Sequence, residues 1–410
     1  MVICLRKSNL FAILIFVLVL LSGEYCVARA LPVSKDTDQV IQTSEYDLKI
    51  HDVAIPGMTQ TSEGAIAARP GQILIIRRLG QIFEFDPVTE TLQDTGIVIP
   101  TAEFPQRRLG ERGLPGVKGA VFNPINHDLY VVSQVVERDC LFPVIWHLKF
   151  DTKNQTLATP KIFWRDQRCI PVPQLSNDLP PLTPLNRYGA SNASQAGGRI
   201  VFLNPNEILV TFGNFGDDLK VQLPTIYGTT QIINIKSGSF KTFTSGHRNP
   251  QGLLKTSDGI FATEHGAEGG DEFNLLKKDK RYGWPFVSLG HPYSNSTGKF
   301  ARSGMRLGTS TKGSEGPIFS WVPSIAPSNL IEYKYSGNTA WKNTLLIGTL
   351  RDLSIRRLTL IKNRVVSDER IQVGFRVRDL TEIPNGRLLL LDDIGSVHVV
   401  TLVSRQLDVP

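Results

Sequence analysis

The run FATEHGAEGGDEFNLL, from Phe261 to Leu276, concentrates chemistry in one turn. Glu264, His265, Glu268, Asp271 and Glu272 stand among Gly266, Gly269 and Gly270, with apolar residues on both sides. A plain surface turn needs little more than one glycine and one aspartate. Four carboxylates, one imidazole and a backbone free to turn its carbonyls inward read instead as a cradle for a cation. Oxygen donors, main-chain carbonyls among them, suit a hard ion such as Ca²⁺. By itself the loop is equally well explained as a solvated acidic turn.

A second group of residues offers guanidinium forks. SGHRNPQGL (Ser245 to Leu253) lies just upstream of the acidic loop and RYGWPFVSLG (Arg281 to Gly290) just downstream. FRVRDL places Arg376 and Arg378 two residues apart, on one face of a strand. IGTLRD adds Arg351 at the end of a strand pattern, and WVPSIAPSNL (Trp321 to Leu330) reads as a proline-stiffened loop. Guanidinium groups bind carboxylates through paired N–H donors. The R-V-R pattern alone is an ordinary exposed strand face, but together the two groups match a polycarboxylate held by a calcium ion.

These loops need a scaffold, and one strand pattern recurs six times. GQILIIRR begins at Gly71, DLYVVSQVV at Asp128, NEILVTFG at Asn206, DGIFATEHG at Asp258, NTLLIGTL at Asn343 and GRLLLLDD at Gly386. Each is a short β-type run introduced by Asn, Asp or Gly. GQIFEFDP, LSIRRLTLI and SVHVVTLV supply following strands. Helical periodicity is nearly absent, and 35 Gly with 25 Pro suit many turns. Repeats of several short strands predict an all-β, six-bladed propeller. The rival, a large β-sandwich, calls for shorter and more even strand spacing. Intervals near 130–205 and 260–340 are stretched by insertions, and YDLKIHDVA (Tyr46 to Ala54) is one more strand, expected to pair with the C-terminal strands and close the ring.

The N-terminus has the order of a secretory signal: Arg6 and Lys7, an apolar run from Leu10 to Leu21, and small residues ending at Ala30. Twelve apolar residues are too few to span a bilayer comfortably. Cleavage near Ala30 assigns residues 1–30 to the signal and 31–410 to a single exported propeller, secreted or periplasmic. The net charge then falls from +7 to +5, and no basic run with interleaved aromatics marks a nucleic-acid partner. Cys4 and Cys26 leave with the signal, so Cys140 and Cys169 remain to form one disulfide. Asn154, Asn192 and Asn295 begin N-x-S/T sequons, which matter only in a eukaryotic secretory pathway.

GHRNPQG, TEHGAEGGDEFN, YGWP, PSIAPS and RVRD, in this order, resemble the soluble PQQ-dependent glucose/sorbosone (aldose sugar) dehydrogenases, over about Leu48 to Leu402. The resemblance implies a six-bladed propeller that uses pyrroloquinoline quinone (PQQ) with Ca²⁺ to take a hydride from a sugar hydroxyl carbon, and a diffusible electron acceptor. It maps Arg248 and Asn249 onto quinone-contacting positions, and Arg351, Arg376 and Arg378 onto those that hold the cofactor carboxylates. Gly266 and Ala267 match the main-chain ligands of the Ca²⁺, with Glu272 at the acidic end of the loop.

One part of the family pattern is missing. The family usually has H-x-G-G-R before the third strand pattern, its His being the general base, whereas this chain reads SQAGGRIVF with Gln195 there and Arg199 kept. The Asp that supports the base is replaced by Asn214 in TFGNFGDD. Both changes turn an ionisable group into a neutral amide, and His247 and His265 are the nearby histidines that could substitute. The expected function is therefore a sugar dehydrogenase with altered turnover, or alternatively a non-catalytic propeller that binds sugar or cofactor. A calcium-dependent lactone hydrolase has no use for the arginines.

Overall fold

Among the described residues six sheets of four or five strands carry the chain, antiparallel but for the pairing of Lys280–Arg281 with Phe240–Ser245, and each begins with a hairpin. The computed structural model describes residues 39–55, 64–101, 115–137, 140–171, 195–216, 221, 224–291, 306–307 and 313–404. The first strands of the six sheets are Gly64–Arg69, Gly119–Phe122, Gly197–Asn204, Pro250–Lys255, Pro327–Glu332 and Val377–Ile383. Each of these packs beside the next, and the sixth returns to the first, so they close a ring around a central channel. The protein is a six-bladed β-propeller, as the repeated pattern predicts. Helix is nearly absent; the 3₁₀ turn Pro384–Gly386 lies in the sixth blade.

All six sequence patterns fall on the same structural position, the second strand of a blade. These strands are Gln72–Arg77, Leu129–Glu137, Glu207–Phe212, Ile260–Glu264, Leu345–Thr349 and Arg387–Asp392. The second strand is covered by a neighbouring blade on each face, so Gln72–Arg77 is buried at every residue and Leu345–Thr349 likewise. Burial on two faces demands an unbroken apolar run, which is why these strands are legible. Outer strands such as Thr91–Val98 and Arg364–Gln372 alternate and lie mostly open.

The ring closes between the two ends of the described chain. Tyr46–Val53 pairs with Val397–Ser404 in antiparallel register, from Tyr46 opposite Ser404 to Val53 opposite Val397. Gln39–Gln42 adds outside it. The closing strand is thus the one expected from YDLKIHDVA.

Cys140 and Cys169 form the expected disulfide. Its setting differs from the expected insertion: Cys140 opens the third strand of the second blade, and Ile170–Pro171 pairs against Leu141 and Cys140. The bridge therefore ties a blade edge together rather than closing a free loop. The signal segment 1–30, with Cys4 and Cys26, and the sequons at Asn192 and Asn295 lie outside the described residues. Among the described residues no helix is long and apolar enough to cross a membrane.

Candidate functional site

In every blade the start of the first strand and the end of the second lie at the same end of the channel, because the two strands form a hairpin. The expected site residues sit at these positions in four consecutive blades. Gln195 precedes Gly197–Asn204, Asn214 follows Glu207–Phe212, Arg248 and Asn249 precede Pro250–Lys255, and His265 and Gly266 follow Ile260–Glu264. Arg351 follows Leu345–Thr349, and Arg376 and Arg378 straddle the start of Val377–Ile383.

Backbone hydrogen bonds bring the third and fourth blades together here. Asn214 N donates to Arg248 O at 2.7 Å, and Phe215 N donates to Gln195 O at 2.9 Å. Asn214 Oδ1 accepts from Gly216 N at 3.2 Å. Asn249 Oδ1 accepts from Gly197 N at 3.3 Å and from Gln251 Nε2 at 2.8 Å. The start of the third blade's first strand demands glycine at Gly198, whose φ is +101° and whose added Cβ would lie 2.4 Å from Lys118 Cβ.

The acidic loop folds on itself rather than fanning out into solvent. A Cβ on Gly266 would meet the carbonyl oxygens of Gly269 and Gly270 at 2.3 and 2.6 Å. Asp271 fixes that closure: Oδ1 accepts from Gly266 N at 2.9 Å, and Oδ2 accepts from Ser324 Oγ, Ile325 N and Ala326 N at 2.7–2.8 Å. Asp271 therefore joins the loop to PSIAPS. Glu264 is likewise engaged, accepting from His247 Nδ1 at 2.8 Å and from Arg248 N. Ala267 packs into the apolar cluster that includes Phe215 and Trp284, which anchors the loop tip. Two of the four carboxylates, Glu264 and Asp271, thus hold protein groups.

Glu272 keeps one neutral partner, Asn274 Nδ2 at 3.0 Å. Burial pushes its carboxyl up to about 8, Glu264 and Asp271 push the same way, and the Asn274 hydrogen bond opposes them. A carboxylate so placed gains from a nearby cation. Among the described residues no three His, Cys, Asp or Glu side chains group as a metal site. Cation binding in this loop consequently calls on main-chain carbonyls, with Gly266 and Ala267 the candidate positions.

The two histidines differ. His247 is 0% exposed, with Nδ1 on Glu264 and Nε2 2.8 Å from Thr244 Oγ1, and its ring stacks on Tyr282. An ionised carboxylate only accepts, so Nδ1 carries the proton and Nε2 accepts from the hydroxyl. His247 is a positioning residue for Glu264 and Arg248. His265 Nε2 lies 2.9 Å from Pro327 O, so this nitrogen donates, and Nδ1 faces Asn249 Nδ2 at 3.4 Å. Burial pushes its pKa down to about 4, with Arg248 and Arg378 adding and Asp271 opposing.

A cavity of about 10 Å³, room for one water-sized occupant, is lined by Arg248, Glu264, His265, Gly266, Glu272 and Trp284 among others. Arg248 is 6% exposed, its guanidinium lies 5.3 Å over the Trp284 ring, and Nη1 reaches His265 O only at 3.4 Å. Its Nε is buried without a hydrogen-bond partner. A buried orphan N–H on a cation is costly unless a ligand oxygen completes it. Arg351 is exposed, with no side-chain partner among the described residues. These donors fit a ligand with carbonyl and carboxylate oxygens.

The remaining pair is already engaged. Arg376 Nε lies 2.6 Å from Asp393 Oδ2, and Arg378 Nε lies 3.1 Å from Asp393 Oδ1, with Nη2 closer still. Sequence reasoning missed Asp393. The signal was present in the hairpin register, since Val377 pairs with Asp392 and so brings Asp393 to the arginines.

The sequence pattern of the family described as Glucose / Sorbosone dehydrogenase matches residues 185–400, which covers the third to sixth blades. That is narrower than the stretch over which the resemblance is read, because the first two blades fall outside it. An uncharacterised Synechocystis protein is 38% identical over 53% of this chain and 48% of its own length. The aldose sugar dehydrogenase YliI of Escherichia coli is 29% identical over 57% of this chain and 67% of its own length. Quinoprotein glucose dehydrogenase B of Acinetobacter calcoaceticus is 30% identical over 38% of this chain and 44% of its own. The chain thus spans about half to two thirds of the length of these curated relatives. Among solved structures, the apo form of the soluble E. coli aldose sugar dehydrogenase superposes with a TM-score of 0.67 at 20% identity, covering 87% of this chain and 100% of that one. The PQQ-bound aldose sugar dehydrogenase of Streptomyces coelicolor gives 0.58 at 19% identity, with 87% and 98% covered.

Proposed function

The chain belongs to the glucose/sorbosone dehydrogenase family, and from that premise we propose that it is an exported sugar dehydrogenase-like propeller that binds PQQ and Ca²⁺. The observation that carries this reading is the buried, unpartnered Nε of Arg248 beside Gly266 and Glu272 in one cavity. PQQ is a polycarboxylate quinone that, when bound, supplies a two-electron acceptor for a hydride.

The residues of the chain do the rest. Arg248 offers its Nε to a ligand oxygen and is held in place by Trp284 and by the Glu264 bond to its amide. Asn249, fixed between Gly197 and Gln251, presents an amide beside it. Gly266 and Ala267 would hold the cation through their carbonyls, and the cation's charge would favour ionisation of Glu272 nearby. Arg351 would meet a carboxylate from the open side. Gln195 can orient a sugar hydroxyl by hydrogen bonding, yet its amide takes no proton near neutral pH. Asn214 cannot stabilise an imidazolium. Cofactor binding with slow sugar oxidation follows, an aldose or related sugar being the substrate class and a diffusible acceptor taking the electrons.

The two amides also favour a second reading, a propeller that retains the cofactor or sugar and does not turn over. Export after removal of residues 1–30, and residues 31–410 acting as one propeller, belong to the same proposal. Titration of the purified apoprotein with PQQ and Ca²⁺, followed by a dye-linked aldose oxidation assay, separates the readings. Binding with slow oxidation supports the first and binding alone the second. Failure to bind PQQ at any Ca²⁺ concentration overturns the first, and failure to bind either PQQ or an aldose overturns both.

A further inference from the structure

Asp392 ends the second strand of the sixth blade and Asp393 follows it, and the two side chains have different tasks. Asp392 Oδ1 accepts from Ile394 N and Ser396 N, which closes the turn of the hairpin. Among the described residues no backbone group is hydrogen-bonded to the Asp393 carboxylate. Its Oδ2 faces Arg376 Nε and its Oδ1 faces Arg378 Nε and Nη2, so both oxygens are held by guanidinium groups. The main chain fixes this arrangement, because Asp393 N donates to Arg376 O at 2.9 Å. The carboxylate is 8% exposed, while the Arg376 side chain keeps 27% of its surface open. Burial alone would raise the Asp393 pKa, and Arg378 and Arg376 outweigh it to hold the carboxyl below its ordinary range.

The cluster leads into the candidate site. Arg378 Nη1 donates to Gln251 Oε1 at 3.2 Å, Gln251 Nε2 donates to Asn249 Oδ1 at 2.8 Å, and Asn249 Oδ1 accepts from Gly197 N. Arg376 Nη1 donates to Leu350 O at 2.8 Å, which places it next to Arg351. Two cations share one internal anion here, so the cluster carries a net charge of about +1 where two unpaired arginines would carry +2.

We propose that Asp393 is a built-in counter-ion that holds the Arg376 and Arg378 forks and so decides which anions this end of the channel accepts. A polycarboxylate gains the paired donors of either fork in full only by displacing Asp393, and the fork that gives way is the more open Arg376. Weakly charged anions are excluded because they cannot compete with a carboxylate already desolvated and fixed by its own backbone. The inference rests on the reading of this end of the channel as a polycarboxylate site, and it adds the residue that sets the selectivity of that site.

The test compares the whole protein with its Asp393→Asn variant in titration calorimetry at low ionic strength, using citrate and PQQ as separate probes. Citrate is a tricarboxylate with no quinone chemistry, so its binding reports the forks alone. The variant is expected to bind citrate at least about tenfold more tightly than the parent, the lower end of one charge-assisted hydrogen bond. Equal or weaker citrate binding by the variant overturns the proposal, whatever PQQ does. If citrate tightens while PQQ binds neither protein, the selectivity role stands and the cofactor reading falls. Should Asn destabilise the fold, Asp393→Ser removes the charge and keeps an oxygen for a guanidinium. If neither variant folds even with citrate present, Asp393 is a structural pin, and the proposal fails.

Discussion

Arg199 Nη1 lies 2.7 Å from Asp379 Oδ2, with both side chains almost completely buried at the inner ring. Each partner is also tied to other blades. Arg199 Nε donates to Gln251 O at 2.7 Å and Nη2 to Arg378 O at 2.9 Å. Asp379 accepts from Ile66 N at 2.9 Å and from Asn329 Nδ2 at 2.7 Å. One ion pair therefore links the first, third, fourth, fifth and sixth blades. Arg199 of the family motif is kept although its His gives way to Gln195, and the geometry gives the reason for the first: Arg199 holds the ring.

Removing one member of a buried, fully hydrogen-bonded pair leaves the other as an uncompensated charge. Asp379→Asn is expected to lower stability by about 3–5 kcal/mol. Urea denaturation measures it as a fall in midpoint at constant slope. A loss below about 1 kcal/mol would show that the pair is not what joins the blades.

The Cys140–Cys169 bridge spans 29 residues of sequence. Chain-entropy arguments assign a closed loop of this size roughly 3–4 kcal/mol. Replacing both cysteines by Ser is expected to lower the urea midpoint accordingly, and thiol counting on the denatured, unreduced protein freed of residues 1–30 should find neither free. Two reactive thiols in that protein would refute the bridge.

How much of this was legible in the sequence follows from burial. The six second strands are covered on both faces, so GQILIIRR and GRLLLLDD read as continuous apolar runs and the blade count came out directly. Outer strands such as Arg364–Gln372 carry a mixed pattern and give no comparable signal. The site loops were legible as motifs, but their internal bonding was not. Asp271 looks like a ligand in GGDEF and instead accepts backbone N–H groups from a loop more than 50 residues away. Asp393 looks like a turn residue in LLDDIG, and only strand register brings it to Arg376 and Arg378. Contacts made by the return of a hairpin or by a neighbouring blade have no fixed spacing, which is why they escape pattern reading.

Arg248→Ala is expected to weaken PQQ binding by roughly 10- to 150-fold, the value of a charged hydrogen bond of about 1.5–3 kcal/mol in a partly dry site. The parent holds this guanidinium between Trp284 and the His265 carbonyl with Nε unpaired, so removal should cost the fold little. The measurement is calorimetric titration at saturating Ca²⁺, with a thermal melt as control. An unchanged affinity would place the cofactor elsewhere.

The last expectation concerns turnover. A hydride leaves a sugar C–H readily only when the attached hydroxyl gives up its proton, and a positioned base contributes about 10²–10⁴-fold. His247 cannot serve, since it is fully buried with both nitrogens engaged. Nor is His265 free to turn, because its Nε2 is held by Pro327 O. The loops carrying Gln195 and Asn214 are nevertheless adjacent, joined by the bond from Phe215 N to Gln195 O and registered on Arg248 O through Asn214 N. A base and its supporting carboxylate placed there would inherit that backbone framework. The double change Gln195→His with Asn214→Asp is therefore expected to raise dye-linked aldose oxidation by at least about tenfold, below the usual range because the side-chain packing was not selected for an imidazole. Gln195→His alone should gain less, lacking the carboxylate that orients the ring and stabilises its charged form. PQQ affinity serves as the control and should stay within about threefold of the parent, a shift under 1 kcal/mol. If the parent already oxidises aldoses at about 10 s⁻¹, a typical enzyme rate, another group accepts the proton and the assignment of position 195 is wrong. In that case the His265→Gln variant locates the base, because a His265 that carries the proton would take the activity with it.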